Sequence, residues 1–76
     1  VPGFRVGDAV ACAGVGYACH GEYNAVPHQL LTPLPEGVDF DAGAFVALGA
    51  IAMQGVRRAR VEFGETVVVM GLGLVG

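Results

Sequence analysis

The order of apolar and polar positions predicts short strands in the first half of the chain. Ala9 to Ala13 is an apolar run that ends at the turn residues 14–16, which indicates a strand. Glu22 to Val26 predicts a second strand, which ends at Pro27. A further apolar run, Leu30 to Leu34, is interrupted by Pro33, so no regular continuation is expected there.

The second half of the chain predicts a helix that begins near Asp39. Asp39 is a good N-cap residue, because its carboxylate can accept a hydrogen bond from an unpaired N–H of the first turn. Gly49 and Gly55 weaken the helix, and a break near Gly49 into two helices is one alternative. The apolar residues that recur at helical spacing are Phe45, Leu48, Ala52 and Val56. The residues that close the helix with positive charge are Arg57, Arg58 and Arg60.

A turn at 63–65 then leads into the apolar run Thr66 to Met70. A continuous run of this kind is typical of a strand buried on both faces of a parallel sheet. The run continues directly into Gly71-Leu72-Gly73-Leu74-Val75-Gly76, which matches G-x-G-x-x-G. The sequence therefore predicts a strand followed by a phosphate-binding loop.

Each glycine of this motif has a physical role. In a dinucleotide-binding loop Gly71 would allow the tight turn after the strand, and Gly73 would let the backbone approach a pyrophosphate. Gly76 would allow the next helix to pack closely, and that helix would favour an anion at its N-terminus. The alternative is a glycine-rich turn after a core strand, since the chain contains 13 glycines.

Composition narrows the possible partners. Of the 76 residues 54% are hydrophobic and 14% are charged, so the chain is expected to be a fragment that needs further protein surface. The net charge of -3 and the four basic residues argue against a nucleic-acid binder. The uncharged stretch 42–56 is shorter than the roughly 20 residues of a membrane-spanning helix.

The candidate metal ligands do not form a recognisable zinc pattern. Cys12 and Cys19 are separated by seven positions, and no second cysteine pair accompanies them. We therefore expect no metal site in this segment. His20 and Glu22 could form an acid/base pair on one strand face, but a plain strand-edge position is the favoured interpretation. Two cysteines form no disulfide framework, so a reducing, cytoplasmic setting is the expectation.

Four stretches, in this order, resemble the medium-chain dehydrogenase/reductase family of alcohol, polyol and quinone oxidoreductases. Residues 4–10 are similar to its F-x-V-G-D-x-V entry to a barrel strand, and residues 16–23 to its G-x-x-A-E-Y strand. Residues 34–44 are similar to its step into the helix before the nucleotide domain. Residues 64–76 resemble its first nucleotide-binding strand and loop.

This resemblance implies an α/β fragment in which residues 1–38 end a GroES-like β-barrel catalytic domain. Residues 39–76 would contribute a connecting helix, the first strand of a Rossmann domain and its glycine loop. The whole enzyme would transfer a hydride between NAD or NADP and an alcohol, a carbonyl or an activated alkene. The implied cofactor-binding residues are Gly71, Leu72, Gly73, Leu74, Val75 and Gly76.

The resemblance also carries expectations about zinc and about the complete protein. Val46 stands where zinc-dependent members carry a cysteine ligand, which favours a zinc-independent or variant enzyme. The catalytic residues would lie upstream, so the fragment alone is expected to be inactive. The expected partners are a small-molecule substrate and further copies of the full-length chain, with no nucleic acid and no membrane.

Two other functions remain open at this level. The chain could be a non-enzymatic binding module whose apolar helix docks a partner. It could also be the enoyl reductase unit of a larger synthase, which would share the fold and cofactor and differ in its substrate.

Overall fold

A computed structural model describes residues 3–76. Residues 1 and 2, which belong to the predicted first domain, lie outside the described range. The described chain forms two compact units, the first ending at Val46 and the second running from Ala47 to Gly76. Two strands and two helices confirm an α/β arrangement at this coarse level. The proposed boundary between residues 38 and 39 stays a prediction.

The first unit contains a two-stranded antiparallel sheet. Strand β1 (Val10–Cys12) confirms the first predicted strand, and it pairs with β2 (Leu31–Pro33) with Ala11 opposite Thr32. Backbone hydrogen bonds extend the ladder at both ends, because Ala13 N donates to Leu30 O at 3.1 Å and Leu34 N to Ala9 O at 2.9 Å. A single 3-10 turn, His28–Leu30, leads into β2.

The predicted strand at Glu22 to Val26 is wrong. The structure assigns no strand there, and the apolar run that follows supplies the partner of β1. The physical reason is Asn24, whose Oδ1 accepts from Cys19 N at 3.1 Å while its Nδ2 donates to Gly21 O at 3.1 Å. These local bonds compete with a strand ladder and hold a loop.

Helix α1 (Phe40–Gly43) begins at the predicted N-cap. Asp39 Oδ1 accepts a hydrogen bond from Ala42 N at 2.8 Å, which satisfies one of the free donors of the first turn. Gly43 is buried, and a Cβ placed on it would lie 2.8 Å from Leu34 Cδ2. A glycine at this position therefore lets the helix approach the Leu34 side chain.

The alternative of two helices is confirmed, although helix α2 (Val46–Ala59) is continuous through Gly49. The helical region is interrupted earlier, at residues 44–45. The predicted positive end is confirmed, since Arg57 and Arg58 lie in the last turn. Arg60 follows with a φ of 50°, the left-handed conformation in which many helices terminate.

The run Thr66 to Met70 is not a strand in this structure, contrary to the prediction. None of its backbone groups takes part in a hydrogen bond with another described residue. A strand requires a hydrogen-bonded neighbouring strand, and no segment of residues 3–76 pairs with this run in that way. Val68 is 78% exposed and Met70 is 93% exposed, so the run keeps its apolar surface open.

The hydrophobic core of the described residues is very small. Among residues 3–76 the only buried apolar side chain is that of Ala11, which lies on β1.

None of the helices in residues 3–76 has the length and apolar character needed to cross a membrane.

Candidate functional site

The glycine loop, residues 71–76, is the candidate site, and a turn fixes the start of the segment that leads to it. Glu65 N donates to Glu62 O at 3.2 Å, and the Glu65 carboxylate accepts from Glu62 N at 2.9 Å. Gly64 has a φ of +84° within this turn, as the Phe63-Gly64-Glu65 pattern predicts. The chain then runs through residues 66–70 into the loop.

The three motif glycines differ in what surrounds them. Gly71 has a φ of +97°, a conformation that residues with a Cβ rarely adopt. Gly73 has no atom within 4 Å of the place where a Cβ would lie, so this side of the loop backbone is open. A Cβ on Gly76 would collide with the carbonyl group of Gly71. The loop therefore turns at its first glycine, stays open at its second and closes on itself at its third.

The backbone amides of the loop are available to an acceptor. No N–H of residues 71–76 donates a hydrogen bond to any other residue that the structure describes. The side chains of Leu72 and Leu74 are exposed, at 86% and 81%. Free backbone N–H groups concentrated in a glycine-rich bend can bind an anion.

No helix begins within residues 71–76 themselves. In a dinucleotide-binding unit the helix after the loop contributes both free N–H groups and a favourable dipole. Residues 71–76 would supply the glycine-loop part of that arrangement.

The second unit also contains an apolar pocket of about 620 Å³. Its walls come from one side of α2, from Val67 and Val69, and from Val75 and Gly76 at the end of the loop. Sequence reasoning identified the loop and did not identify this pocket. The spacing of Val67 and Val69 was the available signal, because residues two apart in an extended segment share a face.

The other chemistry-bearing residues do not assemble into a site. Cys12 lies on β1 and Cys19 lies in the loop held by Asn24; both thiols are free and exposed. His20 and Glu22 are exposed residues of the same loop. Within residues 3–76 no group of three His, Cys, Asp or Glu side chains is placed to hold a metal ion.

Comparisons with known proteins give a consistent group of relatives. The chain is 33% identical to the uncharacterized zinc-type alcohol dehydrogenase-like protein YphC of Escherichia coli (strain K12), over 99% of the chain and 24% of that protein. It is 37% identical to D-guloside 3-dehydrogenase of the same organism, over 100% of the chain and 21% of the relative. It is 35% identical to the quinone oxidoreductase of Pseudomonas aeruginosa, over 84% of the chain and 20% of the relative.

The chain thus spans less than a quarter of the length of these curated relatives. No family model matches the chain. No solved structure matches it either. All three relatives are named as dehydrogenases, dehydrogenase-like proteins or oxidoreductases, and two of them match over essentially the whole chain. The chain therefore belongs to the alcohol dehydrogenase-like, medium-chain dehydrogenase/reductase family.

Proposed function

We propose that this chain is a segment of an NAD(P)-dependent oxidoreductase that transfers a hydride between the nicotinamide and an alcohol or carbonyl substrate. The observation that carries the proposal is the loop 71–76, with its turn at Gly71 and its free amides. The names of the relatives support oxidoreductase chemistry, since YphC is alcohol dehydrogenase-like and D-guloside 3-dehydrogenase is named for a sugar derivative.

The residues of the loop fit the proposed cofactor. A pyrophosphate needs backbone N–H donors and a backbone without a Cβ at the point of closest approach. Gly73 supplies the open side of the loop, and the six candidate residues Gly71 to Gly76 supply amides that bind no other described group. When bound, the nicotinamide would accept or donate the hydride, and this chain's part would be to hold the pyrophosphate.

The proposal assigns each part of the chain to a place in the larger enzyme. Residues 1–38 would close a GroES-like catalytic domain, and residues 39–76 would lead into a Rossmann domain through the run Thr66 to Met70. That run would become the first strand once neighbouring strands pair with it, because strands depend on such neighbours. Its exposed valines support this assignment, since they are the surface such a strand would bury.

The remaining features of the proposed enzyme concern metal, partners and location. Val46 in place of a cysteine supports a zinc-independent or variant enzyme, because valine offers no ligand atom. The complete protein would act on a small molecule and assemble with copies of itself. The two free thiols, Cys12 and Cys19, support a reducing, cytoplasmic location.

A second substrate class is supported by one relative. The match to a quinone oxidoreductase favours reduction of an activated alkene or quinone as the alternative to alcohol oxidation. Assays of the full-length protein with a polyol plus the oxidised cofactor, and with a quinone plus the reduced cofactor, would separate the two. Turnover confined to the quinone would replace the alcohol assignment and leave the cofactor assignment intact.

The non-enzymatic binding module receives less support. An independent module must bury enough apolar surface to offset the entropy of ordering its chain. Among the described residues Ala11 alone contributes a buried apolar side chain. Cooperative unfolding of the isolated 76 residues as a monomer would favour the module over the enzyme segment.

The test of the cofactor site is Gly73→Val in the full-length protein. A valine there projects into the open side of the loop, so we expect NADH or NADPH to bind at least about tenfold more weakly, a loss of roughly 1.4 kcal/mol. Fluorescence titration of the reduced cofactor measures the Kd.

Gly49→Ala serves as the matched control, because it also adds a side chain in open space but lies in α2. Its Kd should equal that of the unaltered protein. Equal affinity in the Gly73→Val protein, or no binding by the unaltered protein at millimolar cofactor, would overturn the proposal.

A further inference from the structure

We draw no further inference here: the strongest candidate, the apolar pocket between helix α2 and residues 67–76 of the second unit, carries nothing because nothing in the structure shows what covers it.

Discussion

The two units contain similar local hydrogen bonds from side-chain carboxylates, but they differ in strand pairing and in burial. In the first unit a carboxylate caps α1 at Asp39, and in the second a carboxylate closes the turn at Glu65. The first unit adds a strand pair that contains the buried residue Ala11, whereas the second unit has no buried residue in the range from Ala47 to Gly76. Local hydrogen bonds thus shape both units, and only the first has the pairing that turns an apolar run into a strand.

The largest expected effect comes from placing a charge in the run Thr66 to Met70. We expect the exposed apolar run to make the isolated 76-residue chain aggregate, and Val68→Lys should shift that chain towards the monomer, because lysine opposes edge-to-edge association of an apolar segment. In the full-length protein the same substitution should prevent folding, since an unpaired charge buried in a sheet costs several kcal/mol. Sedimentation of the isolated chain and far-UV circular dichroism of the full-length protein measure the two outcomes.

Val15→Lys is the control for this experiment, because Val15 is fully exposed in the turn after β1 of the first unit. It should change neither measurement. A full-length Val68→Lys protein as stable as the Val15→Lys protein would mean that residues 66–70 are not a buried strand.

A smaller contrast separates two glycines, one in each unit. Gly43→Ala should lower the free energy of unfolding by up to about 1 kcal/mol, because the new methyl group must displace the half-buried Leu34 side chain. Gly49→Ala should raise it by up to about 1 kcal/mol, since alanine favours a helix and nothing lies nearby. Urea unfolding of the full-length protein measures both, and effects of the same sign would contradict the packing of Gly43 against Leu34.

Loss of the N-cap should be the next effect in size. Asp39→Ala should cost about 1 kcal/mol, because the N–H of Ala42 loses its acceptor. Asp39→Ser, which keeps a capping oxygen, should recover most of the loss. Urea unfolding compares the three proteins, and an equal loss in the serine variant would show that capping is not the cause.

The smallest expected effect lies at the end of α2. Arg60→Gly should stabilise the protein by about 0.5–1 kcal/mol, because glycine adopts the positive φ of this position without the steric cost of a Cβ. Arg58→Gly, inside the last helical turn, should destabilise by about 1 kcal/mol instead. Thermal unfolding measures the melting temperature of each variant. A shift of both melting temperatures in the same direction would contradict the left-handed conformation of Arg60.

Features that depend on neighbours three or four residues apart could be predicted from the amino-acid order. Asp39 caps a helix, Gly64 lies in a turn, and the arginines end α2, because each of these contacts is completed within one turn of chain. The position of the glycine loop could also be predicted from the spacing of its glycines. Whether that loop holds a pyrophosphate is still a prediction.

Strand identity was decided by contacts distant in the chain. Ala11 pairs with Thr32 and not with the intervening run at 22–26, and no inspection of local propensity distinguishes these two partners. Residues 66–70 have the composition of a strand and lack its neighbours. A helix completes its backbone hydrogen bonds within itself, while a strand completes them with another segment. The amino-acid order alone therefore determined the helices of this chain, and tertiary pairing determined its strands.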